Sequence, residues 1–431
     1  MMAAGRNGAP GPTRLSSPAP DRRLVLTDSS DHGASATWGA TWAATAGRRA
    51  DWTQNREGTG GIVNPPIWRA STILYPTIAD MDAANGRQDE TLFYGRKGTP
   101  TTWALREALT GLEPGAAGTL LYPSGVAALS AAILSVVKPG DHLLIPDSAY
   151  DPTTSFCDGL LKRLGVDSQP YDPLIGAGIA ALFRPDTRLV ILESPGSLTF
   201  EVQDVPAITA AARAAGIVTL LDNTWAASHF FQGIPAGCDM VMQALTKYVG
   251  GHSDLMMGSV SAVAGHFERL RSSTWQLGHC VSSDDAALAL RGFRTLPLRM
   301  ARHQQSALAV ATWLKAHPLV DKVLHPAFPD CPGHAIWKRD FTGASGLFGV
   351  TLKIGSRADA PHFFDDLQHF GIGFSWGGFE SLAIPTSAER LRRVTRFESP
   401  GLSIRLSIGL EDPADLIADL SAALDRLETL A

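Results

Sequence analysis

An aspartate and a lysine 25 positions apart carry the clearest chemical signal in this chain of 431 residues. Asp222 follows the apolar run Ile217-Val218-Thr219-Leu220-Leu221, and Lys247 follows a second run that begins Met240-Val241-Met242 and continues Gln243-Ala244-Leu245-Thr246. Each stands where a short buried strand would end. In open α/β sheets, ligands collect at the carboxyl ends of the strands. An amine and a carboxylate delivered to that edge suit one cofactor held at both ends, and pyridoxal 5'-phosphate is such a group. A lysine condenses with its aldehyde as a Schiff base, and an acid keeps its pyridine nitrogen protonated.

That cofactor also needs a phosphate cradle and a flat group over its ring. Ser124-Gly125-Val126 opens an Ala-rich helical stretch, where free backbone N–H groups and the helix dipole bind anions and Gly125 permits a close approach. Tyr150 ends the run His142-Leu143-Leu144-Ile145 and is placed to stack on a ring. Each residue taken singly has a structural reading: Asp222 as a helix cap, Lys247 as a loop charge, Arg96 paired with Glu90, Trp376 as packing. Short motifs gain weight from a consistent structural context.

The elements that must position these residues are legible as an alternation. Predicted strands cover Gly118–Tyr122, His142–Pro146, Arg188–Glu193, Ile217–Leu221, Met240–Gln243 and Gly258–Val263, with helical stretches between most of them. That alternation predicts right-handed crossovers and a largely parallel sheet. Beyond about Arg294 the pattern changes to a helix over Met300–His317, strands over Val320–His325 and Gly346–Lys353, a helix through Phe363–Phe370 and a strand over Ser403–Ile408. A final helix is capped by Asp412-Pro413 and carries Leu416, Leu420, Leu424 and Leu427 at helical spacing. The expected organisation is a tail over 1–45 without stable structure, an extended arm over 46–98, an α/β domain over 99–293 and a smaller α+β domain over 294–431.

Composition excludes several classes. A net charge of −5 gives no basic footprint for nucleic acid or anionic membrane, and no apolar stretch reaches the roughly 20 residues a membrane span needs. The start of the chain has no apolar signal-peptide core. Cys157, Cys238, Cys280 and Cys331 lack metal-ligand spacing, as do His252 and His279, so no metal is expected and the thiols read as reduced and cytoplasmic. A nucleotide-dependent oxidoreductase fails for want of G-x-G-x-x-G after the first strand.

The run Ala244-Leu245-Thr246-Lys247-Tyr248-Val249-Gly250-Gly251-His252-Ser253-Asp254 resembles the signature of the Cys/Met-metabolism pyridoxal-phosphate enzymes, the trans-sulfuration family of cystathionine β-lyases, γ-lyases and γ-synthases. So do Asp222-Asn223-Thr224-Trp225, Tyr94-Gly95-Arg96-Lys97-Gly98, Tyr122-Pro123-Ser124-Gly125-Val126 and Leu402-Ser403-Ile404-Arg405, and the resemblance runs from about residue 42 to the end. It implies the aspartate aminotransferase-like fold (fold type I), with Lys247 holding the cofactor, Asp222 on the pyridinium and Tyr150 on the ring. It further implies Gly125, Val126 and Thr246 on the phosphate, Tyr94 and Arg96 reaching it from a partner subunit of a homotetramer, and Arg405 on the substrate α-carboxylate beside Ser375 or Trp376. Ser375-Trp376-Gly377-Gly378-Phe379-Glu380, Glu193-Ser194-Pro195-Gly196 and Tyr171-Asp172-Pro173 resemble the bacterial β-lyases of methionine biosynthesis, which act on cystathionine and other cysteine S-conjugates. Trp275 falls where those enzymes place a tyrosine near the distal end of the substrate. The alternatives are a γ-acting member and a catalytically silent regulatory protein on the same fold.

Overall fold

The structure, a computed structural model, describes residues 36–54, 60–89 and 91–430. Its central sheet contains β1 (Gly118–Tyr122), β2 (His142–Pro146), β3 (Asp167–Tyr171), β4 (Thr187–Glu193), β5 (Val218–Asp222), β6 (Met240–Ala244) and β7 (Gly258–Ala262). Their order across the sheet is β1-β7-β6-β5-β4-β2-β3. Neighbours among β2 to β6 run parallel, and β7 lies antiparallel between β1 and β6. The apolar runs are continuous because both faces are covered. Leu143, Ile145, Leu189, Ile191, Leu220 and Met242 pack on one side with the helix Gly125–Val136, while Leu144, Val190, Leu192, Leu221 and Val241 fill the other core.

A long helix, Leu296–Ala316, leads into a second sheet of β8 (Val320–Leu324), β9 (Leu347–Leu352), β10 (Phe370–Gly371), β11 (Ser381–Thr386) and β12 (Ser403–Ser407), ordered β10-β11-β12-β9-β8. The helix Pro413–Glu428 buries Leu416, Leu420, Leu424 and Leu427 in the same core as Val310, Val350 and Leu406, so its leucine spacing is a packing face.

Several elements depart from the sequence reading. The strand β3 was not expected: Asp167-Ser168-Gln169-Pro170-Tyr171 is polar and carries a proline, which a sheet tolerates because this strand is at the edge. The helix expected through Phe363–Phe370 spans Ala360–Phe364 only, and Phe370 turns into β10 against β11, itself unexpected. Residues 36–45, assigned to the tail over 1–45, form a helix. Alanine-rich sequence reads as low complexity, yet alanine is the strongest helix former. Ala43 is buried, Trp42 Nε1 donates to the Ala108 carbonyl at 2.8 Å, and Arg294 Nη1 donates to the Ala43 carbonyl at 3.0 Å. Residues 1–35 of that tail lie outside the described residues.

Candidate active site

The carboxyl ends of β4, β5 and β6 open into a cavity of about 380 Å³. Asp222, the last residue of β5, lines it, as does Lys247 just beyond β6. Two contacts fix the carboxylate: the Thr224 backbone N–H and hydroxyl both donate to Asp222 Oδ1, at 3.0 and 2.5 Å. The Thr224 hydroxyl also accepts the Ala244 N–H at 2.9 Å, which ties the loop after β5 to the end of β6. Among the described residues, no lysine or arginine comes within ion-pair distance of Asp222. Burial pushes its pKa up, the Thr224 donors and the positive Lys247 oppose that, and the site lacks a cation that a pyridinium would supply.

Lys247 Nζ donates to Ser375 Oγ at 2.6 Å and lies 5.2 Å from the Trp376 ring centroid. Burial, aided by the nearby Arg405, lowers its pKa to about 8, with Asp222 pulling the other way. Arg405, in the middle of β12, donates from Nη2 to the Ser375 carbonyl at 2.9 Å, and burial lowers its pKa to about 10. Ser375 therefore joins the lysine to the arginine, from a backbone φ of +82° that a serine seldom adopts.

Tyr150 lines the same cavity and begins the helix Asp151–Phe156. Burial raises its pKa, with Glu193 adding to the shift and Arg405 reducing it. Gly125 and Val126 are at the N-terminus of their helix, where, among the described residues, Ser124 Oγ accepts only the Ala127 N–H and the first intrahelical bond comes from Ala128. The preceding N–H groups are left for an anion. The glycine has a second reason as well, since a Cβ at Gly125 would meet the Ala244 Cβ at 2.8 Å. Thr246 lines the cavity, its hydroxyl accepting the Met257 N–H at 3.0 Å.

Tyr94 and Arg96 are elsewhere in the chain. Tyr94 precedes a short turn, Gly95–Lys97, Arg96 lies within it, and Arg96 Nη1 donates to the Trp275 carbonyl at 3.1 Å. Arg96, Lys97 and Trp275 border a second, smaller cavity, with Lys97 Nζ 3.2 Å above the Trp275 ring. Trp275 thus faces the arm within this chain, not the Lys247 cavity. Glu90, the suggested partner of Arg96, lies outside the described residues.

Two residues escaped the sequence reading of the site. Glu193 ends β4 in register with Asp222, and its Oε2 accepts the Tyr150 N–H at 2.7 Å. Its signal was the one that marked Asp222, a charge closing an apolar run. Thr224 offered no separate signal, because a hydroxyl two residues after an acid is common in turns.

A buried acid without a counter-cation, a lysine amine, a helix N-terminus and an arginine share one cavity at the carboxyl edge of a parallel sheet. These residues fit pyridoxal phosphate, and fold and site define a pyridoxal-phosphate-dependent enzyme. The model of the Cys/Met metabolism PLP-dependent enzyme family matches residues 45–425, and the chain belongs to that family. Cystathionine beta-lyase MetC of Escherichia coli is 43% identical over 87% of this chain and 96% of its own length. A Wolbachia pipientis relative named an L-alanine/L-glutamate racemase is 41% identical over 86% of this chain and 94% of its own. A crystal structure of cystathionine gamma synthase from Xanthomonas oryzae, in complex with aminoacrylate and cysteine, superposes with a TM-score of 0.81 at 30% identity. It covers 91% of this chain and 99% of that one.

Proposed function

We propose that this enzyme is a carbon–sulfur β-lyase that cleaves L-cystathionine to L-homocysteine, pyruvate and ammonia with uptake of one water. The observation that carries the reading is the Lys247–Ser375–Arg405 relay, which sets a base beside the cation that takes the substrate carboxylate. The proton next to a carboxylate is the one at Cα. When bound, pyridoxal phosphate supplies the electron sink that acidifies that proton.

In this reading Arg405 orients the amino acid through its α-carboxylate. Lys247, whose pKa of about 8 leaves a useful neutral fraction near that pH, accepts the Cα proton. Asp222 would hold the ring nitrogen of the bound cofactor. The sulfur of homocysteine leaves from Cβ and takes a proton from Lys247 or Tyr150, and the three-carbon remainder takes up water to give pyruvate and ammonia. Trp376 beside the lysine, and the greater identity to the beta-lyase (43%) than to a curated gamma-synthase of Mycobacterium bovis (34%), support the β over the γ reading.

The remaining site residues, Tyr94 and Arg96, then act in a neighbouring subunit's cavity, within a homotetramer in the cytoplasm. Ile62, Val63, Leu74 and Ile78 support this, for the arm exposes each by more than half and a second copy would cover them. Product analysis with cystathionine tests the function. Homocysteine with pyruvate is expected; cysteine with 2-oxobutyrate, or racemised alanine with no cleavage at all, would overturn it.

A further inference from the structure

Glu193 is an acidic side chain that the mechanism above does not use, although it borders the cavity beside Asp222. The two acids close adjacent parallel strands, and register partners on such strands project to the same face. Glu193 Oε2 reaches across to β2's exit and accepts the backbone N–H of Tyr150 at 2.7 Å. Among the described residues, no side chain caps the helix that Tyr150 begins. The Glu193 carbonyl is itself held by Gln203 Nε2 at 3.0 Å, so the acceptor stands on a rigid strand with support from behind.

We propose that Glu193 is the positioning residue for Tyr150: its carboxyl oxygen pins the tyrosine backbone to β4 and so sets the height of the phenol above the Lys247–Asp222 line. The inference builds on the reading of Tyr150 as the residue that faces the cofactor ring. A pair of neighbouring carboxyls in a buried site does not hold two charges. Burial and the adjacent Asp222 push the Glu193 pKa well up. A carboxyl oxygen accepts an N–H whether or not the group carries a proton, and so does a carboxamide oxygen. Glutamine is therefore the conservative replacement and alanine the disruptive one.

The holoenzyme variants Glu193→Ala and Glu193→Gln test this by three readouts. In Glu193→Ala, hydrogen–deuterium exchange over residues 147–156 should accelerate, and the absorption band of the bound cofactor should shift as the phenol moves. Its kcat should fall on the order of tenfold to a hundredfold, the cost of misplacing a reacting group by about 1 Å, with KM nearly unchanged because Arg405 is untouched. Glu193→Gln should restore all three. Wild-type behaviour of Glu193→Ala overturns the proposal, and so does a glutamine variant as impaired as the alanine one. Should the alanine protein fail to fold, the glutamine variant decides alone: wild-type exchange, spectrum and kcat support positioning, and a large loss refutes it. Exchange and absorption are read whatever product the enzyme makes, so they stand apart from the outcome of the cystathionine assay.

Discussion

Replacing Arg405 by lysine keeps a positive charge on β12 and removes the planar fork. The arginine makes one hydrogen bond among the described residues, from Nη2 to the Ser375 carbonyl, and has no carboxylate partner. Its other N–H groups are thus available to an incoming carboxylate, which a guanidinium holds by two parallel bonds and an ammonium by one. Loss of one hydrogen bond to a charged group costs about 1.5–3 kcal/mol. At about 1.4 kcal/mol per factor of ten, kcat/KM should fall roughly 10- to 150-fold. The carboxylate is gripped alike before and during the reaction, so most of the loss should fall on KM. Steady-state kinetics of Arg405→Lys with cystathionine measure the split, and binding of an amine analogue without the α-carboxylate provides the control. That analogue should bind wild type and variant equally. An unchanged KM with a hundredfold lower kcat, or an analogue as sensitive as the amino acid, would refute the carboxylate grip.

Lys247→Ala should abolish pyruvate release while the folded protein persists, and it should lose the yellow colour that borohydride bleaches; substantial turnover would take the lysine out of the chemistry. In the proposed mechanism, reloading of the cofactor-free enzyme needs the neutral Lys247 amine. Its rate, followed by absorbance, should climb as pH rises through about 8 and then level off, instead of climbing toward the ordinary lysine value of 10.5. The segment around 390–397 is clasped to the wall that carries Tyr150: Asp147 accepts the N–H groups of Arg393, Val394 and Thr395 and the Thr395 hydroxyl, at 2.8–3.0 Å. Burial opposes the charge on Asp147, but these donors outweigh it and hold the pKa below the ordinary carboxylate value. A carboxylate lowered in the folded state stabilises the fold above its unfolded pKa of about 4 and loses that contribution as pH falls through the folded value. Asp147→Ala should therefore make residues 388–397 open to limited proteolysis at neutral pH, and wild type should approach the variant's cleavage rate only in acid.

The local pattern of the chain carried much of this. Asp222 and Lys247 were legible because a charge that closes a short apolar run marks a strand end, and the motifs around them follow one another in sequence. The helix Pro413–Glu428 and strands such as β2 showed the same local logic, since periodicity and capping are written within a few residues. What lay beyond reach was set by contacts between segments far apart. The edge strand β3 took a polar, proline-bearing sequence because a neighbour supplied the pairing, and the helix at 36–45 formed where Trp42 found the Ala108 carbonyl. Ser375 became the link between Lys247 and Arg405 only once three separate stretches met, at a backbone angle that no serine prefers on its own. Glu193 gained its place beside Asp222 from the register of two strands, which depends on how the whole sheet buries its two faces. Sequence determined which groups stand at the strand ends; the packing of remote segments decided which of those groups touch.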